Sequence, residues 1–337
     1  MTGNLQCSLS NTNLPAGAPA RGFKGEKDME KWSAVAQVIV PIFAAVALGV
    51  FARKKGILSP EGNQGLQQFV MKFGMPCVLF NSTLTASLGA EALVTMAMLL
   101  PLLLASSLGA FFLRKKKLPM HNFPMLFSAK ETGMIGIPLY ITLFGAAQAY
   151  RMGVLDIAQA IIAIPVISLL AADPGDNPTA AYLAGKVVRS PLLIMSVLGL
   201  GLNLTGAAAA LERARVLPVI TRTTEFLAQS VSSVMLFSVG YSFSLSRENR
   251  ALVLKLSAAH LAVFAAICAV MELILLALPR VDSATAWAVA LYAALPASYI
   301  APTLGRSQNE SAAASGVCSL LTAVCLALFC LMAVILA

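Results

Sequence analysis

The chain has 337 residues, of which 58% are hydrophobic and 12% charged, with a net charge of +9 and a mean hydropathy of +0.80. A soluble domain carries roughly twice that charged fraction. The apolar residues form long uncharged runs, such as Val35–Ala52 and Ser311–Ala337, which are long enough to cross a hydrocarbon core of ~30 Å as helices. The composition therefore excludes a soluble protein and predicts an all-α integral membrane protein. The basic residues lie in short connections between these runs, so the positive charge does not indicate nucleic-acid binding.

The chain begins with a segment unlike the rest. Residues 1–30 are rich in Asn, Gly, Pro and Ser and contain no long apolar run, so we predict a disordered extension and no signal peptide. Ten transmembrane helices are predicted after it, bounded by Gly, Pro and charge, at about 33–52, 65–85, 91–113, 123–145, 152–171, 187–205, 217–245, 250–278, 284–304 and 311–336. A short cytoplasmic linker, 173–186, separates residues 31–172 (helices 1–5) from residues 187–337 (helices 6–10).

Charge in the connections predicts the orientation. Most of the Lys and Arg residues between helices lie in alternate connections, including Arg53-Lys54-Lys55 after the first helix and Arg114-Lys115-Lys116-Lys117 after the third. Cytoplasmic loops carry this excess. We therefore expect a multi-pass protein of the plasma (inner) membrane, with both termini outside.

The two halves of the chain resemble each other. Val78-Leu79-Phe80 matches Met235-Leu236-Phe237 at an offset of 157 residues, and Pro138 matches Pro296 at an offset of 158. Five helices per repeat is an odd number, so the second repeat must be inverted across the membrane. Inverted repeats are typical of secondary transporters.

The fourth and ninth helices contain segments that favour a break. These segments are Thr132–Pro138 and Leu295–Pro302, in which Pro removes backbone donors; in the first, Gly also adds flexibility. Irregular backbone at membrane depth persists where protein or a water-filled cavity covers it, and paired breaks point to a substrate site. The alternative is that both prolines only kink continuous helices.

Several of these segments resemble the auxin efflux carrier family. They are Phe73–Phe80, Glu131–Leu139, Arg189-Ser190-Pro191 and Leu295-Pro296. The resemblance implies ten helices in two inverted five-helix repeats, with broken helices four and nine crossing beside the substrate. It also implies small organic acids as substrates and homodimers in some members. The short linker resembles that of compact bacterial members. The family usually has Asn where this chain has Glu131.

The candidate substrate-binding residues are polar or charged side chains near the predicted breaks, together with the two matched prolines. They are Lys72, Asn81, Ser82, Lys130, Glu131, Pro138, Ser238, Tyr241, Pro296, Ser298 and Tyr299. Charges at membrane depth usually line a cavity. Glu131 is either a proton carrier, part of a Na⁺ site, or the partner of Lys72 or Lys130 in a structural ion pair. Lys72 either snorkels to the cytoplasmic surface or binds a substrate carboxylate.

These features predict a secondary active transporter that moves small organic anions by alternating access, with H⁺ or Na⁺ as candidate coupling ions. The alternatives are a carrier of the bile-acid sodium symporter type and a membrane sensor that keeps a carrier fold without transport. Enzyme activity is not expected, because the chain has two His residues, His121 and His260, and no HExxH motif. Five of the six cysteines fall inside predicted helices, so no disulfide, metal or other cofactor is expected. The expected partners are the organic acid, membrane lipid and the coupling ion.

Overall fold

The computed structural model describes residues 24–86, 90–116, 120–171, 179, 182, 185, 188–243, 250–278 and 282–336. The described part of the first half is helical. Its helices are α1 (Lys24–Lys55), α2 (Pro60–Phe69), α3 (Met75–Leu84), α4 (Ala90–Lys116), α5 (Ile137–Phe144) and α6 (Tyr150–Ala171). The described part of the second half contains α7 (Pro191–Leu204), α8 (Ala207–Arg213), α9 (Leu217–Ala228), α10 (Val231–Ser242), α11 (Arg250–Leu276), α12 (Ser283–Ala294) and α13 (Gln308–Leu336).

Membrane-spanning capacity is clear for about half of the predicted spans. Within the described residues, five helices are long and apolar enough to cross a membrane, and a sixth results if α7 and α8, bent by 81°, are counted together. The segments Thr132–Phe144 and Ser283–Ala294 are apolar but shorter. They belong to the fourth and ninth predicted spans, where the sequence predicts breaks.

The first described helix begins inside the segment for which the sequence predicts a disordered extension. Helix α1 starts at Lys24, within residues 1–30. Residues 24–30 are mostly charged helix formers that continue into the apolar part of α1 without an intervening Pro. Residues 1–23 lie outside the described part of the chain, as does most of the predicted linker at 173–186.

Two helix crossings bring backbones into close contact through glycine. A Cβ atom at Gly49 of α1 would lie 1.9 Å from the carbonyl oxygen of Phe237 in α10. A Cβ atom at Gly199 of α7 would lie 2.5 Å from the carbonyl oxygen of Phe80 in α3. Only glycine permits this approach, which is a common device for packing helices in membranes.

Two π-helical turns each precede a helix that has a proline in its first turn. Val70–Gly74 joins α2 to α3, and Thr132–Gly136 leads into α5. In both cases the following Pro, Pro76 or Pro138, lies in the first turn of the next helix, where a missing N–H is tolerated. Pro138 therefore does not break the fourth span, contrary to the prediction. The break lies earlier, at residues 128–131, between a 3₁₀ turn at Phe123–Phe127 and the π turn.

Candidate functional site

The two broken spans meet in a short pair of extended segments, which we call the crossover. Lys130 forms a β-bridge with Ala297. The Glu131 N–H donates to the Pro296 carbonyl at 2.9 Å, and the Ser298 N–H donates to the carbonyl of Ala129 at 3.2 Å. On the ninth span the extended backbone has a local cause, because the residue before a proline disfavours the helical region. Leu295, which precedes Pro296, accordingly ends α12 with ψ of 148°.

Lys130 caps the broken end of α12. Its side chain is 2% exposed, and its ammonium donates to the carbonyls of Ala293 at 2.8 Å and Leu295 at 2.5 Å. The carbonyls at a helix C-terminus lack partners in the helix and carry partial negative charge, so a cation is favoured there. The third donor of the ammonium reaches His260 Nε2 at 3.0 Å. All three donors are thus used by the protein itself.

His260 supports this cap from α11. Its ring is fully buried, and Nδ1 lies 2.7 Å from the Leu126 carbonyl oxygen, which can only accept. We therefore assign the proton to Nδ1, which leaves Nε2 as the acceptor for Lys130. Phe264, one turn further along α11, places its ring 4.0 Å from the Lys130 ammonium. The cation is held by carbonyls, an imidazole and an aromatic face.

Glu131 points to the other side of the crossover. Its Oε2 accepts from the Tyr299 N–H at 2.7 Å. Side chains alternate in direction along an extended segment. Lys130 therefore reaches the end of α12, while Glu131 reaches the start of the following segment. Within the described residues, neither Lys130 nor Lys72 forms a salt bridge with Glu131. The structure therefore does not contain the ion pair that the sequence offered as one alternative for Glu131.

Polar side chains on α6 form a hydrogen-bond network with the crossover. Gln159 accepts from the Lys130 N–H and from the Tyr292 hydroxyl, each at 3.0 Å, and its amide donates to the Lys130 carbonyl at 3.0 Å. It also donates to Thr132 Oγ1 at 2.6 Å, and Thr132 in turn donates to Asp156. Sequence reasoning missed Asp156 and Gln159. The signal was present, because two polar residues three apart in an otherwise apolar span share one helix face.

The remaining predicted site residues are not gathered at the crossover. Lys72 is exposed, although the preceding residue, Met71, packs against Gly133 of the second π turn. Tyr241 donates from its hydroxyl to the Leu58 carbonyl at 2.8 Å, which links α10 to the end of the first span. Ser238 is fully buried on α10, and its hydroxyl has no partner among the described residues.

Asn81 and Ser82 line a separate cavity of about 490 Å³ between α3, α5 and the adjoining ends of α9 and α10. Its other polar lining includes Glu225 and Gln229. The Asn81 side-chain carbonyl accepts from the Thr224 hydroxyl at 2.6 Å, which fixes the amide at the wall. The predicted substrate residues thus divide between this cavity, the crossover and α10. Within the described residues, no group of three His, Cys, Asp or Glu side chains could hold a metal ion.

Comparison with known families decides the class of protein. Residues 34–181 match the family model described as "Membrane transport protein", which is the domain of the auxin efflux carrier family. Residues 34–181 are similar to the auxin efflux carrier domain. The matched segment includes Phe73–Phe80 and Glu131–Leu139, two of the four segments on which the resemblance rests. No curated protein matches the sequence. Together with the apolar helices, the family match supports an integral multi-pass membrane protein of a transporter family.

Proposed function

We propose that this protein is a secondary active transporter of small organic anions that works by alternating access. The observation that carries the proposal is the crossover, where two broken spans meet and a backbone N–H donates to a carboxyl group. The Glu131 carboxyl group now accepts from the Tyr299 N–H at 2.7 Å. Charge-assisted hydrogen bonds of this kind are strong in a site shielded from water.

We further propose ten spans in two inverted repeats. A twofold relation between the repeats requires that a contact between spans one and seven recur between spans six and two. The close contact of Gly49 with Phe237 is of the first kind, and that of Gly199 with Phe80 is of the second. Phe80 and Phe237 are the residues that the sequence matches at an offset of 157. This coincidence of a sequence repeat with a contact repeat supports the proposed architecture.

We propose that the 490 Å³ cavity is where a small acid enters, because its volume falls in the range of roughly 300–1,000 Å³ that is common for ligand pockets. It lies at the end of the second span, on the side that the distribution of Lys and Arg assigns to the outside. The orientation is tested with membrane-impermeant maleimide on intact cells. We expect Ala146→Cys, at the cavity rim, to be labelled directly and Ile57→Cys, which is exposed after α1, only after permeabilisation. The opposite pattern would overturn the proposed orientation.

Glu131 leads us to propose coupling to H⁺. Its carboxylate occupies a donor that a substrate carboxylate would otherwise use, and two anions cannot share it without a proton or a cation. Protonation of Glu131 removes this conflict when the acid binds. The Na⁺ alternative requires a cation at the crossover instead.

The test is uptake of radiolabelled malonate and benzoate into proteoliposomes under an imposed pH gradient or an imposed Na⁺ gradient. We expect accumulation driven by the pH gradient, lost in Glu131→Gln and kept in Glu61→Gln, a control in the exposed first turn of α2. Accumulation driven only by Na⁺ would favour the sodium symporter alternative. Stabilisation of the purified protein by an acid without any flux would favour the sensor alternative and overturn transport.

A further inference from the structure

A second large cavity lies between α4 and α11, and none of its lining residues belongs to the polar network around Lys130 and Glu131. It is a groove of about 440 Å³ whose walls are small or apolar side chains, including Ala105, Gly109 and Leu113 on α4 and Ala259 on α11. A Cβ atom built at Gly109 meets nothing within 4 Å, so the groove is open there. Nothing in the transport proposal uses this groove.

The floor of the groove is formed by aromatic side chains and does not favour a polar ligand. Phe123 and Phe127 of the 3₁₀ turn form it, and both are buried beneath the two helices. Ser106 is the hydroxyl residue in the lining, and it donates to the Phe127 carbonyl at 2.8 Å. Its donor is therefore already used. A ligand for this groove must be a hydrocarbon along most of its length.

The length of the groove matches one leaflet of a membrane. On α4 the lining runs from Ala105 to Leu113, and on α11 from Leu252 to Val263. At 1.5 Å per helical residue these stretches measure roughly 12 and 16 Å, close to half of a ~30 Å hydrocarbon core. A single acyl chain entering from one membrane surface has this reach.

The charge at the mouth identifies the headgroup. Lys255 is part of the lining and is exposed, and it lies near the end where α11 begins at Arg250 and α4 ends at Lys116. Arg114 lies at the same end, where its guanidinium donates to the His121 carbonyl at 3.4 Å. A lysine at helix-end depth directs its ammonium toward the headgroup layer. Basic positions beside an apolar groove favour an anionic lipid.

We propose that this groove binds one acyl chain of an anionic phospholipid, whose headgroup phosphate contacts Lys255. The lipid would act as a structural ligand that joins α4 to α11. The proposal stands on the shape and charge of the groove and is independent of the transported substrate.

The test is thermal unfolding of delipidated protein in detergent, with added phosphatidylglycerol or phosphatidylcholine of the same acyl chains, together with native mass spectrometry of the retained lipid. We expect phosphatidylglycerol to raise the melting temperature more than phosphatidylcholine, because a ligand that binds only the folded state stabilises it. Lys255→Ala should abolish this preference. Lys54→Ala, which removes an exposed lysine at the end of α1, should keep it.

A second variant tests the groove without removing charge. Gly109→Leu should fill the open space, keep the melting temperature of the lipid-free protein and reduce retained lipid at least tenfold. Equal lipid responses in Lys255→Ala and Lys54→Ala would overturn the headgroup contact. Unchanged lipid retention in Gly109→Leu would overturn the groove as the acyl site. A change from dimer to monomer in Gly109→Leu, with unchanged lipid retention, would assign the groove to a second copy of the chain.

Discussion

Replacing Lys130 with Met tests whether the buried ammonium is a cap for the ninth span. Met keeps most of the side-chain volume but leaves three buried acceptors without their donor, namely the carbonyls of Ala293 and Leu295 and Nε2 of His260. A buried group that loses its partner costs about 1–3 kcal/mol, and three such groups cost ~3–9 kcal/mol. The desolvation of the ammonium that Met avoids offsets part of this. We expect a net loss of about 3 kcal/mol.

The assay is thermal unfolding in detergent followed by tryptophan fluorescence, for which Trp287 on α12 is a reporter inside the affected helix. For a chain of this length, ~3 kcal/mol corresponds to a drop of roughly 4 °C in the melting temperature. The matched control is Lys72→Met, because Lys72 is exposed and its removal should change the free energy of unfolding by less than about 0.5 kcal/mol. Equal melting temperatures for the two variants would refute the capping role of Lys130.

Three further predictions use the same unfolding assay. Gly49→Ala should lower the free energy of unfolding by ~2–3 kcal/mol, because its Cβ would lie 1.9 Å from a backbone oxygen. Gly201→Ala is the control and should be neutral or stabilising, because its Cβ meets nothing within 4 Å. Equal stabilities of the two variants would contradict the close crossing. Tyr292→Phe should cost about 1 kcal/mol, because its hydroxyl donates to the α6 amide network at 3.0 Å; a cost near zero would show that this bond contributes nothing. Asp282→Asn, which keeps an N-cap oxygen for the Ala284 N–H, should cost about 1–2 kcal/mol, because it leaves buried Arg151 without its carboxylate while Asp282 itself is half exposed; a loss that disappears in high salt would show an ordinary surface pair.

The sequence predicted the break of the ninth span better than that of the fourth. Pro296 acts locally, since it forces the residue before it out of the helical region. The fourth span has no such residue at its break, which lies at residues 128–131. Pro138 suggested a position several residues too late, because the preceding π turn accommodates the proline without interrupting the helix. The true break is paired with a segment more than 160 residues away, a relation that local patterns do not carry.

The candidate site was also predicted only in part from the sequence. Lys130 and Glu131 were identifiable as charges at membrane depth. Their partners were not, because the atoms that surround them belong to α11, α12 and the segment after Pro296. The extended backbone at the crossover directs the two side chains to opposite sides, which excludes the ion pair between Lys130 and Glu131 that the sequence left open. Asp156 was visible in the sequence as a carboxylate within an apolar span and should have been included.

The crossover also has a mechanical consequence. Two backbone hydrogen bonds join residues 129–131 to 296–298, and the adjacent side chains of Lys130 and Glu131 hold the two sides of the same gap in the ninth span. Pulling the two broken spans apart would break these bonds together, so a load on one span is transmitted to the other. We therefore expect residues 129–131 and 296–298 to keep their mutual hydrogen bonds and to move together when the surrounding helices move.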